Sequence, residues 1–498
     1  MKRSCPLIAL ALLLIVLPRA SVTAARQPVD GPAIDAYVSE RMAALGTPGA
    51  AIAVVRDGEI AHLAGYGVAN EDGGPVTPQT PFLLASLSKS MTSVAVMQLV
   101  EQGLVEIDAP VQTYLPWFMP DTPITVRQLL NQTSGLDEKQ GYERNLDPPG
   151  PGGLERSIRK LATTELNRAP GTAFEYSNSN ADTLGLLIET VTGQSYGDYM
   201  AANVFTPLGM THAYTTLDEG RAAGMSQAFY PFFGRQTNLD AVMAYSEATQ
   251  PSAGMIASAE DMARYLQMHL NGGRAGDNQL LTPASVATLH KPAVITNPEG
   301  GVSYAMGWTV WSFPEAAEPG GDPPTALSHG GGWLGSNTMM LIIPERNLGV
   351  FTAMSGGDDA SDAALDNIIF NVALMALGLV PSLSEPQATG LDPWWRAIGV
   401  GLILLLLASA VWSIRRLRGR TFGRRDVWLF VALAVLDLVL IAYFLLVQLP
   451  ENLTTVPLML RFSPDLGLML VIALILTAGW GTIRSLWAFQ RWSASSSE

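Results

Sequence analysis

Residues 82–102 read FLLASLSKSMTSVAVMQLVEQ and are followed by Gly103. Apolar side chains occur on every side of this segment, which predicts a helix that is buried all round and ends at the glycine. The helix starts with the tetrapeptide SLSK at 86–89. Residues three apart share a helix face, so the Lys89 amine can approach the Ser86 hydroxyl beside a free backbone N–H group. Because a desolvated neutral lysine can activate a serine, the segment offers a nucleophile, a base and an oxyanion donor.

The same spacing occurs a second time, in the tetrapeptide SIRK at 157–160. Charged neighbours such as Glu155 and Arg159 predict a solvated helix face there, on which a lysine stays charged. Ser157 is therefore a poor candidate for a nucleophile. For Ser86 one alternative stays open, a helix-capping serine beside a lysine that extends its charged end to solvent.

Two further segments carry polar groups suited to a cleft. Tyr176 and Asn178 are two positions apart, and in an extended segment such residues project to the same side. The phenol can exchange protons and the amide can hold a substrate carbonyl, although a loop tyrosine and a helix-capping asparagine fit the same pattern. His329 is followed by glycines, of which Gly331 and Gly332 let a substrate approach and leave backbone N–H groups free. A plain strand end that turns through glycine fits this pattern as well.

Other catalytic arrangements have less support. No H-E-x-x-H motif is present, and the remaining histidines are scattered along the chain, at His62, His212, His269 and His290. The segment AMSGG at 353–357 lacks the first glycine of a G-x-S-x-G nucleophile elbow. The single cysteine, Cys5, supplies neither a disulfide nor a tetrathiolate site. A net charge of −14 disfavours nucleic-acid binding, so we expect no metal, no cofactor and no nucleic-acid partner.

Strand patterns lie near both ends of the region before residue 380. Residues 50–55 and 60–67 flank an Asp-Gly turn, which indicates a hairpin. Short connections indicate further antiparallel strands, at residues 304–311, 325–328, 336–343 and 348–354. Helices are expected at residues 29–45, 86–102, 180–192 and 360–377, and a long loop at 137–153. The sequence therefore predicts an α+β fold in which an antiparallel sheet from both chain ends encloses a helical insert.

The N-terminus has the pattern of a secretory signal. An uncharged apolar run at residues 7–17 follows Lys2 and Arg3, and small residues come after it. The run is shorter than the roughly 20 residues that a membrane-spanning helix needs. We expect cleavage near residue 24, with an uncleaved anchor as the alternative.

Three segments near the C-terminus are long and apolar enough to span a bilayer, at residues 397–414, 427–449 and 466–483. The loop after the first segment is rich in arginine, and such loops stay cytoplasmic, so the globular region is expected outside the cytoplasm. Asp437 in the second segment suits either a proton relay or a hydrogen bond between helices. The predicted organisation is a signal at 1–24, a globular domain at 25–380, a linker at 381–395 and a membrane domain at 396–498.

The segments 86–89, 176–178 and 329–331 resemble, in order and spacing, the three active-site motifs of serine β-lactamases and penicillin-binding proteins. The similarity is greatest to the class C-like (S12-type) branch. It extends to further stretches, at residues 124–130, 133–136, 170–171 and 207–210. The resemblance implies a β-lactamase/transpeptidase-like α+β fold, with an antiparallel sheet flanked by helices and a helical subdomain.

The resemblance also implies roles for individual residues. Ser86 would form an acyl-enzyme, and Lys89 and Tyr176 would share the general acid and base work. Asn178 would position the substrate, and the backbone N–H groups of Gly332 and Ser86 would hold the oxyanion.

One residue departs from the pattern, because His329 stands where many β-lactamases carry the lysine of a K-T-G motif. Near neutral pH an unperturbed imidazole is mostly uncharged, so esterase or peptidase activity is favoured over efficient β-lactamase activity. We expect a membrane-anchored extracytoplasmic serine hydrolase that cleaves an ester or amide in a small molecule, a D-amino-acid peptide or a cell-wall fragment. The alternative is a non-catalytic sensor or transport-coupled module that binds penicillin or a cell-wall fragment.

Overall fold

In a computed structural model of the chain, the described residues are 28–119, 121–137, 139, 150, 152–233, 235–240, 246–356, 359–382, 393–418, 424–447, 459–460 and 463–495. The predicted signal at 1–24, most of the predicted linker and most of the loop at 137–153 lie outside them. Within these residues the chain forms a sheet layered between helices, followed by a helical C-terminal region.

The strands are Gly49–Arg56 (β1), Glu59–Gly67 (β2), Phe82–Leu83 (β3), Phe229–Phe232 (β4), Arg235–Asn238 (β5), Ile256–Ala257 (β6), Arg274–Ala275 (β7), Asn278–Gln279 (β8), Val294–Asn297 (β9), Val302–Ala305 (β10), Trp308–Ser312 (β11), Thr325–Trp333 (β12), Ser336–Ile343 (β13) and Leu348–Ser355 (β14). Eight of them form one antiparallel sheet in the order β2-β1-β14-β13-β12-β11-β10-β9. β1 pairs with β14 from Gly49, opposite Ser355, to Arg56, opposite Leu348. The predicted antiparallel sheet built from both chain ends is confirmed.

The helices are Gly31–Leu45 (α1), Ser88–Glu101 (α2), Val126–Leu130 (α3), Gly153–Leu161 (α4), Asn178–Thr192 (α5), Tyr196–Met200 (α6), Thr206–Leu208 (α7), Leu217–Ala222 (α8), Gln250–Ala253 (α9), Ala259–Leu270 (α10), Pro283–His290 (α11), Asp359–Ala376 (α12), Pro393–Leu417 (α13), Arg424–Val447 (α14), Pro464–Ile475 (α15) and Gly481–Ser495 (α16). α2 is buried from Ser88 to Leu99, as its all-round apolar sequence predicts. The segment from α2 to α11 is mostly helical, which confirms the predicted helical insert between the strand groups.

β1 is buried on both faces because its side chains alternate between two apolar layers. Ala51 and Val55 belong to a cluster that the sheet shares with the helical insert. Ile52 and Val54 belong to a second cluster that the sheet shares with α1 and α12. Each fully buried aliphatic side chain of this kind contributes about 1.5–3 kcal/mol to folding. The sheet is thus a rigid middle layer, and one face of it carries α2.

The segment 304–311 was expected to be one strand, but it forms two antiparallel strands, β10 and β11. The chain reverses at Gly307, whose φ is 86°. A Cβ at this glycine would lie 2.6 Å from the Cα of Ser90. The reversal is therefore packed directly against α2, and only glycine fits both the backbone conformation and the space.

The glycines after His329 do not end a strand, as the sequence suggested. β12 continues through them to Trp333, and Gly332 pairs with Asn337 of β13. Because these glycines have no side chains, β12 passes close to the segment before α2 and keeps its pairing with β13.

The C-terminal region is helical in α13 to α16, with α15 and α16 joined by a π-helical stretch at Leu476–Trp480. By length and composition two described helices can cross a membrane, at Ala397–Arg416 and at Pro464–Gln490, with mean hydropathies of 2.4 and 2.2. The expectation of three spans is therefore corrected to two candidate spans. The middle segment, 427–449, is not one of these two, because part of it lies outside the described residues. The side chain of Asp437 also lies outside the described part.

Candidate active site

Ser86 lies in the tight turn that leads into α2. A 3-10 turn at Ala85–Leu87 continues into the helix, so Ser86 stands at its positive N-terminal end. Ala85 has a φ of 47°, a strained backbone conformation for a residue with a Cβ. Such strain persists only where the surrounding contacts hold the backbone firmly, and it is concentrated at functional sites.

Two sheet strands supply the contacts that hold this turn. Thr338 Oγ1 donates a hydrogen bond to the carbonyl of Leu84 at 2.8 Å, and Ser336 Oγ donates to the carbonyl of Leu83 at 3.0 Å. On the neighbouring strand, a Cβ at Gly331 would lie 2.3 Å from the carbonyl oxygen of Leu84. Gly331 therefore allows β12 to approach the turn, and a larger residue would displace the backbone that carries Ser86.

Lys89 is buried beside the serine, with 2% of its surface exposed. Its Nζ lies 3.0 Å from Ser86 Oγ and donates to the carbonyl of Ser252 at 2.9 Å. The backbone N–H of Ser252 in turn donates to Asp182 Oδ1 at 3.0 Å. Lys89 Nζ also lies 4.7 Å from the ring centroid of Tyr176. The amine is thus within proton-transfer distance of the hydroxyl, and burial favours its neutral form.

Tyr176 and Asn178 lie at the start of α5, where Ser177 is the N-cap residue. The backbone N–H of Ser177 donates to Gln132 Oε1 at 2.8 Å, which fixes this segment against the loop after α3. Asn178 is 7% exposed, and its Oδ1 has no hydrogen-bond partner among the described residues. A buried amide oxygen in this state is suited to accept a hydrogen bond from a substrate.

His329 is a buried and neutral neighbour of the lysine. Burial is the largest cause that lowers the pKa of His329 to about 4, and the nearby Lys89 makes a smaller contribution. Its Nδ1 lies 2.7 Å from the carbonyl of Gly330, so Nδ1 carries the proton and Nε2 faces the hydroxyl of Tyr304 at 3.5 Å. The site therefore has no fixed positive charge at this position near neutral pH.

The structure brings most of the predicted site residues together. The His329 and Tyr176 ring centroids are 6.3 Å apart, and Tyr176 in turn faces Lys89 and, through it, Ser86. Gly331 is buried against the turn that carries Ser86, and Gly332, the next residue of β12, is exposed. Asn178 is two residues from Tyr176. This set can attack a carbonyl carbon, move protons and hold an oxyanion.

Sequence reasoning missed several groups that support this cluster. The Ser252 carbonyl holds Lys89, and a backbone carbonyl leaves no signal in a sequence. Asp182 and Gln132 each orient a site segment from a distant part of the chain. Asp182 follows Asn178 by one helical turn, and that spacing is a signal that places it near the same end of α5.

The scattered histidines are not all isolated, which corrects the expectation from their spacing. His269 Nδ1 and His290 Nε2 are 3.0 Å apart, between α10 and α11, and both rings pack edge-on against Trp308. Burial lowers the pKa of both imidazoles. Through Trp308 the pair packs against the apolar core.

The two other candidate nucleophiles, Ser157 and Ser355, lie at positions where they contribute to the packing of the fold. Ser157 is buried in α4, whereas Lys160, about one turn further along that helix, is exposed. Ser355 is buried at the end of β14, where its hydroxyl donates to the carbonyl of Gly49 at 3.2 Å. An exposed lysine stays hydrated and charged, and a backbone carbonyl is not a base, so neither serine has the surroundings of Ser86.

The sequence is similar to known proteins over the globular region. Residues 34–373 match the family described as Beta-lactamase. The chain is 27% identical over 323 residues to Protein flp of Staphylococcus aureus (strain MRSA252), which covers 64% of this chain and 61% of that protein. It is 27% identical over 337 residues to Penicillin-binding protein 4 of Amycolatopsis lactamdurans, which covers 65% of this chain and 85% of that protein. The chain thus spans about six tenths of the length of its staphylococcal relative.

The fold is similar to a solved structure as well. The octameric penicillin-binding protein homologue from Pyrococcus abyssi superposes with a TM-score of 0.60 at 24% sequence identity. The match covers 75% of this chain and 82% of that one. The match shows a shared fold.

Proposed function

Because the chain belongs to the β-lactamase family of serine hydrolases, we propose that it is a membrane-anchored enzyme of the class C-like branch. It cleaves an ester or amide bond outside the cytoplasm through an acyl-enzyme on Ser86. One observation carries the proposal. A lysine that is 2% exposed has its Nζ 3.0 Å from the serine hydroxyl at the N-terminus of a buried helix.

In the proposed acylation step, Ser86 Oγ forms a bond to the substrate carbonyl carbon, and its proton passes to Lys89 Nζ. The backbone N–H groups of Ser86 and Gly332 stabilise the negative charge that develops on the carbonyl oxygen. Tyr176 relays a proton from the lysine to the leaving alcohol or amine, and the bond to that group breaks. Asn178 holds the substrate amide beside the reacting carbon.

In the proposed deacylation step, a water molecule attacks the acyl carbon. Tyr176 and Lys89 now accept the proton of this water, and the Ser86 oxygen leaves the acyl carbon and regains a proton. The acid product dissociates and the starting state is restored. The reaction needs no group beyond water, the substrate and these side chains.

The state of His329 supports a preference among substrates. Because its pKa is about 4, the imidazole is uncharged near neutral pH and gives a substrate carboxylate no ionic partner there. We therefore propose that uncharged esters, and D-amino-acid peptides or cell-wall fragments without a carboxylate beside the scissile bond, are better substrates than penicillin.

The two candidate spans support the proposed location. Ala397–Arg416 and Pro464–Gln490 are long and apolar enough to anchor the chain in a bilayer. Arg415 and Arg416 end the first of them, which favours a cytoplasmic loop there and a catalytic domain on the other side. For Pro464 to lie on the catalytic side, the chain crosses the bilayer once more between the two, and the apolar sequence at 427–449 is long enough for this crossing.

A substrate screen tests the proposal. The full chain in detergent micelles is offered p-nitrophenyl esters, a D-alanyl-D-alanine peptide and nitrocefin in parallel, with Ser86→Ala as the control. We expect ester or peptide turnover to exceed nitrocefin turnover, and all turnover to be lost in the variant. Equal turnover by the variant would overturn the catalytic assignment, and a penicillin adduct that forms without any turnover would support a binding role instead.

A further inference from the structure

The hairpin formed by β4 and β5 presents two aromatic rings at its tip. The ring centroids of Phe232 and Phe233 are 4.8 Å apart with planes at 82°, and Phe233 is 45% exposed. Phe233 also has a φ of 48°, so the turn holds its backbone in a conformation unusual for a bulky residue. Exposed aromatic side chains at a strained turn are unfavourable in water and favourable at a membrane interface.

The same hairpin contacts the start of a candidate membrane span. Tyr230 Oη donates a hydrogen bond to Asp465 Oδ1 at 3.0 Å, and the two side chains are 2% and 0% exposed. Asp465 lies in the first turn of α15, where the apolar helix Pro464–Gln490 begins. The first turn of a spanning helix lies at the bilayer surface. The hairpin therefore meets the membrane domain at the level of the lipid headgroups.

The base of the hairpin shares a buried cluster with segments on both sides of the candidate active site. Tyr230 belongs to the same buried cluster as Ala85, which precedes the nucleophile, and Trp333, which follows Gly332. A Cβ at Gly335, in the turn after Trp333, would lie 2.8 Å from the residue that precedes β4. One small cluster thus connects the membrane-facing hairpin to both sides of the cleft.

We propose that this hairpin is a membrane-interfacial element. Phe232 and Phe233 enter the headgroup region of the bilayer and hold the cleft beside Ala85 and Trp333 at the lipid surface. The site then takes amphiphilic esters or amides whose apolar part stays in the bilayer. The substrate class rests on the proposed function, whereas the seating of the hairpin does not. Because the chain carries a net charge of −14, the contact with lipid is made by apolar insertion and not by attraction to anionic headgroups.

Depth-dependent quenching tests the seating of the hairpin. The full chain, with Cys5→Ser as background, receives either Phe233→Cys or Leu104→Cys and a nitrobenzoxadiazole label. Leu104 is a matched control, since it is 49% exposed and follows the far end of α2, about 20 Å from the cleft. In phosphatidylcholine vesicles that contain doxyl lipid, we expect about threefold stronger quenching at position 233 than at position 104. Equal quenching at both positions would overturn the proposal.

Substrate partitioning tests the consequence for catalysis. Phe233→Asp is compared with wild type on a long-chain p-nitrophenyl ester held in vesicles and on water-soluble p-nitrophenyl acetate. We expect kcat/KM for the vesicle-borne ester to fall about tenfold and that for the acetate to stay unchanged. An equal effect on both esters would contradict the interfacial role. If wild type hydrolyses neither ester, the proposed function fails, and the quenching result still decides where the hairpin lies.

Discussion

The chain contains the Ser-x-x-Lys spacing twice, at 86–89 in front of α2 and at 157–160 in α4, with opposite results. In the first segment the lysine is 2% exposed and its Nζ touches the serine hydroxyl. In the second the serine is 1% exposed, while the lysine is exposed to solvent. The same four-residue pattern therefore has a buried lysine beside its serine in one case and a solvent-exposed lysine in the other.

The difference follows from the sequence around each pattern. α2 is apolar on every side, so Lys89 has no solvated face to occupy and must remain inside. α4 has a polar face on which Arg159 pairs with Glu155 at 2.6 Å, and Lys160 shares that exposure. A desolvated lysine loses its preference for the charged form and can act as a base, whereas a hydrated one cannot. Burial of the lysine, more than the spacing of the two residues, therefore decides whether the pattern can form a catalytic site.

Replacing the two serines tests this comparison most strongly. Ser86→Ala removes the nucleophile, so we expect ester turnover to fall about 10⁴-fold. Ser157→Ala should leave kcat/KM within about twofold of wild type, because Ser157 lies in α4 beside an exposed lysine and outside the proposed site. Steady-state kinetics on a p-nitrophenyl ester measures both. A large loss in the Ser157 variant would break the distinction between the two segments.

The two lysines give the next largest contrast. In Lys89→Met the base is replaced by an apolar side chain of similar length, and we expect kcat to fall about 10³-fold. Lys160→Met changes an exposed position, so its kcat should be that of wild type. Pre-steady-state acylation rates check the assignment. If Lys89→Met still acylates at the wild-type rate, another group is the base.

The pH dependence of stability tests the surroundings of Lys89, because burial beside this lysine keeps His329 neutral. Its folded pKa of about 4 lies below the unfolded value near 6.5, so the unfolded chain binds the proton first. Stability is then present above about pH 6.5 and is lost as the pH falls toward 4. Between pH 7 and pH 4.5 wild type should lose roughly 2 kcal/mol more than His329→Gln. Urea unfolding followed by tryptophan fluorescence measures this, and equal losses would contradict the assigned neutral state.

The smallest effect is expected on the exposed side of α4. Glu155 and Arg159 are each about half exposed, so their ion pair is screened by water. Glu155→Gln should cost about 0.3–0.5 kcal/mol of stability and leave turnover unchanged. Thermal unfolding in detergent, at low and at high salt, checks this. A change in kcat would show that the second segment is coupled to catalysis after all.

Much of the fold follows from local sequence. Strand β13 has the predicted bounds, because its apolar run is bounded by glycine before it and by a Pro-Glu-Arg-Asn turn after it. The reversal at Gly307 could not be predicted in the same way, since its cause is close packing against Ser90, more than 200 residues earlier. The three expected spans were read from apolar length alone, and the structure supports two of them.

The site residues also divide into those placed by local sequence and those placed by contacts between distant segments. The relation of Ser86 to Lys89 is local, so helical spacing predicts it. The carbonyl of Ser252 and the neutrality of His329 depend on contacts between distant segments, and a backbone carbonyl is the same in every sequence. The proximity of His269 and His290 was missed for this reason too, because the two residues lie on different helices.

The central claim is that burial of its lysine makes the Ser-x-x-Lys segment at 86–89 a catalytic site, whereas the segment at 157–160 is not one. Covalent labelling tests this claim most directly. The full chain is treated with a fluorophosphonate, digested, and mapped by mass spectrometry. We predict one adduct on the peptide that contains Ser86, formed far more slowly in Lys89→Met, and none on the peptide that contains Ser157. An adduct on Ser157, or an unlabelled Ser86 in a chain that still hydrolyses esters, would contradict the claim.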